Sequence, residues 1–195
     1  MGKRELSKAT DAMKRTLSSR LAAAGAALAS AVASSGAQAE LKPGDVAPVF
    51  TAPAALAGQV FEFSLQDALA HGPVVVYFYP KAFTRGCTIE ANRFAEAQDE
   101  YRALYATVIG LSGDDIETLK KFSVAECRDR FAVASDADGS IMKAYGAAMP
   151  LLSSYAKRVS YVIGTDGRIA YAYSSMSPDE HVPNTLAALR ALAKR

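Results

Sequence analysis

Residues 73–94 read PVVVYFYPKAFTRGCTIEANRF, and this run decides the fold. Val74 to Tyr79 is a continuous apolar stretch, as expected of a strand covered on both faces. Pro80 ends it, because proline has no N–H to carry a ladder further. A helical pattern then runs over 85–103, with Thr84 and Cys87 at its entrance. Open α/β folds place their sites just beyond the carboxyl ends of such strands. A cysteine at a helix N-terminus faces unpaired backbone N–H groups and the positive end of the helix dipole, and both favour the nucleophilic thiolate. Arg85 and Gly86 make its surroundings polar rather than core-like. A cysteine is elsewhere most often a small buried hydrophobe. On chemistry alone, a reactive Cys87 and a core Cys87 both stand.

The alternation continues on either side of this run. DVAPVFTAP and QVFEFSL read as two short strands linked by AALAG, and Leu65 to Ala70 as a short helix. Ala106 to Leu111 is a second buried strand. Ile116 to Glu126 is a helix capped by Asp114 or Asp115. Phe131 to Ala134 is a strand, and Ile141 to Tyr145 a helical segment closed by Gly146. Arg158–Ile163 and Ile169–Ser174 form a hairpin through Thr165-Asp166-Gly167, and Asn184 to Lys194 is the last helix. Ile89, Phe94, Tyr101, Leu104 and Tyr105 are candidate buried positions. At most one face of the 74–79 strand can point to the site, so at least one of Tyr77 and Tyr79 belongs to the core. The pattern predicts α/β architecture with a mixed central sheet flanked by helices.

The chain has 195 residues, half of them apolar, enough for one domain with a sizeable core. Residues 1–39 differ from the rest. They hold six basic and two acidic residues, and end in a charge-free stretch with Ala37-Gln38-Ala39. This predicts a secretory signal peptide over 1–39, cleaved before Glu40, and an exported, periplasmic domain over 40–195. The apolar stretch is too short for a membrane span. The leader's net +4 leaves 40–195 near −2 of the chain's total +2, so the basicity is the leader's and no nucleic-acid footprint remains. His71 and His181 are the two histidines; both read as surface residues without a metal-ligand cluster. Asp136, Asp138 and Gly139 lack the spacing and terminal glutamate of a calcium loop. No metal or cofactor is expected.

Pro80-x-x-x-Thr84-x-x-Cys87 resembles the active-site signature of the peroxiredoxins. LKPGDVAPVFTAPA, VIGLSGDD at 108–115, FAVASDADGSIMKAYG at 131–146 and RVSYVIGTDGRIAY at 158–171 resemble the peroxiredoxin Q, or bacterioferritin comigratory protein, type, in the same order. The resemblance covers nearly everything after residue 40 and implies a thioredoxin-like fold. It implies a thiol peroxidase for hydrogen peroxide and organic hydroperoxides, recycled by a thioredoxin-like dithiol. Cys87 then resembles the peroxidatic cysteine. Thr84 resembles the threonine that binds sulfur and peroxide, Pro80 the proline that shields the thiolate, and Arg158 the arginine that holds thiolate and peroxide together. Many members carry a resolving cysteine five residues after the first; that position here is Asn92. Some place it in a later helix, which points to Cys127. The absence of Trp disfavours the glutathione peroxidases, and the absence of a Cys-x-x-Cys pair disfavours a thiol–disulfide oxidoreductase. A redox sensor using the same cysteine chemistry is the remaining alternative.

Overall fold

A computed structural model describes residues 39–194. Its centre is a seven-stranded mixed sheet. In chain order the elements are β1 (Thr51–Leu56), β2 (Gln59–Ser64), α1 (Leu65–Leu69), β3 (Val74–Phe78), α2 (Arg85–Glu96) and α3 (Gln98–Ala103). They continue with β4 (Thr107–Ser112), α4 (Ile116–Ala125), β5 (Ala132–Ser135), α5 (Ser140–Ala144), β6 (Val159–Ile163), β7 (Ile169–Ser174) and α6 (His181–Leu192). The strands lie in the order β2-β1-β5-β4-β3-β6-β7. β3 runs parallel to β4, and β4 to β5; the other pairings are antiparallel.

The all-apolar β3 is central because both its faces are covered. Val74, Val76 and Phe78 point into one core, with α1, α5 and the Tyr145 and Tyr161 rings. Val75 and Tyr77, followed by Tyr79, point into the other, with α2, α4 and α6. Tyr77 and Tyr79 are therefore both core residues, two positions apart on one face. Tyr77 lies flat across the sheet over its β4 partner Gly110, where an added Cβ would come within 2.6 Å of the ring.

Several boundaries depart from the sequence reading. The predicted helix over 85–103 is two helices, broken at Ala97, whose ψ is 0°. No glycine or proline marks that break. The first strand lies later than DVAPVF suggests. Pro48 keeps that stretch out of a continuous ladder, and only Val46 bridges to Arg168. The strand instead runs through Ala54-Ala55-Leu56 to a two-residue turn at Ala57 and Gly58, both at positive φ. Tyr105 is 81% exposed rather than buried, because it forms the left-handed turn (φ 55°) between α3 and β4. α6 begins at His181, three residues early, because Pro183 fits the first turn of a helix instead of preceding it. The predicted leader over 1–39 lies outside the described residues except at Ala39. Among the described residues no helix is long and apolar enough to cross a membrane.

Candidate active site

The site forms where β3 gives way to α2. Pro80 is half-buried just past the strand end. The next loop is fixed from the neighbouring strand: the Tyr79 N–H donates to the Leu111 carbonyl at 3.0 Å, and the Ala82 N–H to Asp114 Oδ2 at 2.7 Å. Asp114 also accepts from the Ser112 hydroxyl at 2.8 Å. Asp115, not Asp114, caps α4, accepting from the Thr118 N–H at 2.8 Å. Thr84 is the N-cap residue of α2, yet its hydroxyl donates to the Lys81 carbonyl at 2.9 Å rather than to the helix or the Cys87 sulfur. Cys87 is in the first turn and is 2% exposed. Its backbone N–H is among those with no acceptor inside the helix.

Arg158 comes from the far side of β3. Phe78 pairs with Val159 in the antiparallel β3–β6 register, so Arg158 arrives at the end of β3 where the chain turns toward Cys87. It is 3% exposed, and its Nη2 donates to Cys87 Sγ at 3.4 Å. Its Nε donates to the Met176 carbonyl at 3.0 Å, and its Nη1 to Glu90 Oε2. All three guanidinium nitrogens are thus engaged and the fork is fixed in orientation. Burial works against its charge, but Glu90 and the Cys87 sulfur outweigh that and hold Arg158 above its ordinary pKa. Gly86 leaves the space: a Cβ there would lie 3.0 Å from Nη2.

Glu90 and His181 are the residues the sequence reading missed. Glu90 is fully buried on α2, three residues after Cys87 and so on the same helix face. Burial pushes its carboxyl up to about 8, against the pull of the Arg158 guanidinium. His181 is no surface residue. It is fully buried at the start of α6, between Ser160 on β6 and the Ser175 carbonyl. Burial and the Arg158 charge lower it to about 4, although the bond to Ser175 works the other way. The signal for Glu90 was its i,i+3 spacing from Cys87; His181 had no local signal, since the sheet alone brings it there.

Cys127 lies apart from this constellation, just beyond α4, with its N–H donating to the Phe122 carbonyl at 3.1 Å. It is fully buried in the same core layer as Cys87, and both cysteines are free thiols. Burial raises the Cys127 thiol well above its ordinary value, and the Glu126 and Asp129 carboxylates add to this. The two residues after it, Arg128 and Asp129, both have left-handed φ, 53° and 57°. His71 is exposed, its Nδ1 2.8 Å from the Asp67 carbonyl. Asp136 accepts from the Ile141 and Met142 N–H groups at 3.0 and 2.7 Å, a structural role that the calcium comparison did not anticipate.

A mixed sheet that presents a helix-terminal cysteine to a buried arginine defines a thioredoxin-like protein with a thiol-based site. The chain belongs to the AhpC/TSA family, whose model matches residues 43–172, and is a peroxiredoxin, a thiol peroxidase. The crystal structure of peroxidoxin BcpB from Mycobacterium tuberculosis superposes with a TM-score of 0.71 at 34% identity, covering 78% of this chain and 99% of that one. Bacterioferritin comigratory protein of Xanthomonas campestris superposes with a TM-score of 0.63 at 27% identity, covering 72% of this chain and 91% of that one. Chloroplastic peroxiredoxin Q of Oryza sativa subsp. japonica is 35% identical over 121 residues, which is 62% of this chain and 55% of that protein.

Proposed function

We propose that Cys87 is the peroxidatic nucleophile of a peroxidase acting on hydrogen peroxide and organic hydroperoxides. The observation that carries this reading is the 3.4 Å contact from the oriented Arg158 guanidinium to Cys87 Sγ at a helix N-terminus. The thiolate attacks one peroxide oxygen. An S–O bond forms, the O–O bond breaks, and the leaving oxygen departs as water or an alcohol once protonated. Cys87 is oxidised to the sulfenic acid. Arg158 and the free N–H groups of α2 stabilise charge on sulfur first and on the leaving oxygen later. The Thr84 hydroxyl spends its hydrogen on Lys81, so its lone pairs remain to accept the peroxide O–H. Pro80 contributes a surface without a donor, which keeps water from the sulfur. Reduction of alkyl peroxides by the Xanthomonas relative supports the organic substrates.

Resolution by Cys127 follows the same reading. Its thiolate attacks the sulfenic sulfur, an S–S bond forms and hydroxide leaves as water. A thioredoxin-like dithiol then reduces the disulfide. Two left-handed non-glycine residues beside Cys127 cost backbone energy, on the order of 1–3 kcal/mol each, and make this turn a favourable place to open. Intact mass of reduced protein treated with one equivalent of peroxide tests both steps. Loss of two hydrogens supports the internal disulfide. A gain of one oxygen, or a disulfide-linked dimer, would replace Cys127 with an external thiol. Consumption of one equivalent without turnover when a dithiol is supplied would leave a sensor. The composition of residues 1–39 supports export, and N-terminal sequencing from the native host, with Glu40 first, tests it.

A further inference from the structure

Glu90 and His181 meet behind Arg158 in an arrangement that the bond-making steps leave unused. Among the described residues Glu90 Oε1 has no hydrogen-bond partner; it is buried and lies 3.6 Å from His181 Nδ1. The other ring nitrogen fixes the tautomer. Nε2 is 2.9 Å from the Ser175 carbonyl, which can only accept, so Nε2 carries the hydrogen. Nδ1 is then the basic nitrogen and takes the Ser160 hydroxyl at 2.8 Å. With Glu90 ionised, two acceptors face each other across a gap too long for a hydrogen bond, inside the protein. Leaving such a group unsatisfied costs free energy. One added proton turns Oε1 into a donor and removes the conflict, Nδ1 then accepting from the carboxyl in place of the Ser160 hydroxyl.

We infer that Glu90 and His181 are a positioning pair that takes up one proton, between Oε1 and Nδ1, as Cys87 gives up its own. The charge count is the reason. With Cys87 a thiol, Arg158 and Glu90 cancel. With Cys87 a thiolate, the cluster would hold one excess negative charge out of water, which is unfavourable. A proton on the pair restores neutrality. It also frees Arg158 from a full counter-anion, so more of its charge faces the sulfur and the peroxide. Burial sets Glu90 near 8 and His181 near 4, so the carboxyl exchanges its proton close to the neutral range, and that proton, when the pair holds it, sits on Glu90 rather than on the ring. The other groups facing the pair do not compete for it. Tyr77 on β3 and Tyr101 on α3 are pushed up by burial and stay protonated. Tyr173 on β7 presents its ring edge-on to the imidazole, and Asp179 is taken by Arg93 at 2.5 Å.

The inference rests on Cys87 being the reactive thiol, and the test separates the two. In the reduced full chain, nitrogen-15 NMR of the histidine rings is followed from pH 5 to 9, with His71→Gln identifying the exposed residue. His181 Nε2 should stay protonated throughout. His181 Nδ1 should move with a midpoint that differs between wild type and Cys87→Ser, and should not move in Glu90→Gln. A constant Nδ1 signal in wild type, or the same titration with and without Cys87, overturns the pair. His181→Gln gives a second readout: Cys87 alkylation should need about one pH unit more alkali to reach the wild-type rate, and an unchanged profile overturns the inference. Peroxide consumption by wild type is measured separately. Its absence removes the peroxidatic role of Cys87 and leaves the NMR result standing.

Discussion

Asn92 on α2 donates from Nδ2 to Glu126 Oε2 at 2.9 Å, joining the helix whose first turn holds Cys87 to the turn that carries Cys127. The same amide donates to the Thr88 carbonyl one turn earlier, at 2.8 Å. Two ion pairs reinforce the join, Arg128 to Glu96 at 3.2 Å and Arg130 to Asp99 at 2.6 Å. Both are largely exposed and worth little singly. The residue five after Cys87 thus holds the second cysteine's segment closed.

Removing that tie should speed disulfide formation. Asn92→Ala is expected to lower stability by about 1 kcal/mol, the usual worth of such a bond. It should raise the rate of Cys87–Cys127 linkage and make the enzyme harder to overoxidise, since a shorter-lived sulfenic acid meets less peroxide. Quenched-flow trapping followed by peptide mapping measures the linkage rate. A slower linkage would mean that the contact guides the cysteines together rather than holding them apart.

Cys87→Ser should reduce peroxide turnover to well below a tenth of wild type while the circular dichroism spectrum stays the same. A tenth corresponds to only about 1.4 kcal/mol of barrier, far less than loss of the nucleophile. Coupled peroxide consumption with a dithiol donor checks this, and retained activity would move the nucleophile elsewhere.

Arg158→Lys should cost at least tenfold in rate, because lysine keeps the charge but cannot meet sulfur, Glu90 and Met176 together. Gly86→Ala should have a smaller effect in the same direction, since its methyl presses on Nη2 from 3.0 Å. Stopped-flow peroxide kinetics on both variants checks the order. If Gly86→Ala matches wild type, the guanidinium has slack that its three contacts do not suggest.

Stability should fall as pH rises from about 6.5 to about 8. Glu90 binds its proton more tightly folded than unfolded, so its contribution is full below the ordinary carboxylate range and is lost as pH climbs through about 8. His181 has the opposite sign: lowered to about 4, it favours the folded state above its ordinary value and loses that as pH falls. Between about 4.5 and 6.5 the two slopes oppose each other and the profile flattens. Above 9 the raised Cys127 thiol adds a further decline, since only the unfolded chain ionises there. Urea unfolding across pH 5–8 measures this, and Glu90→Gln should remove the fall above 6.5.

The centre of the molecule was readable because its signals are local. The run from Val74 to Cys87 carries a buried strand, its stop and a helix entrance in one uninterrupted stretch. Arg158 was reached through the family motif alone, since a strand-initial arginine looks like any surface residue until the β3–β6 register is known. Glu90 was not singled out, because a glutamate on a helix carries no local sign of burial. Only α6 and β6 closing over it make it a core residue. His181 failed for a second reason: Ser-Pro-Asp-Glu before it and Pro183 after it read as loop, and the helix took the proline into its first turn. Thr84 was found at the right place, but its hydroxyl direction is set by Lys81, a local contact that spacing does not reveal.

The pairing of Phe78 with Val159 works as a ruler. Side chains alternate along β6, so adding or deleting one residue inside the strand would turn Arg158 to the other face and bring a neighbour to the sulfur in its place. The stretch between α5 and β6 is not bound by this rule and can change length without moving the guanidinium. Variation in this protein should therefore be graded by position. Insertions over 149–155 should be tolerated, while a single-residue shift at the start of β6 should abolish activity and destabilise the fold together, since every β6 side chain is buried.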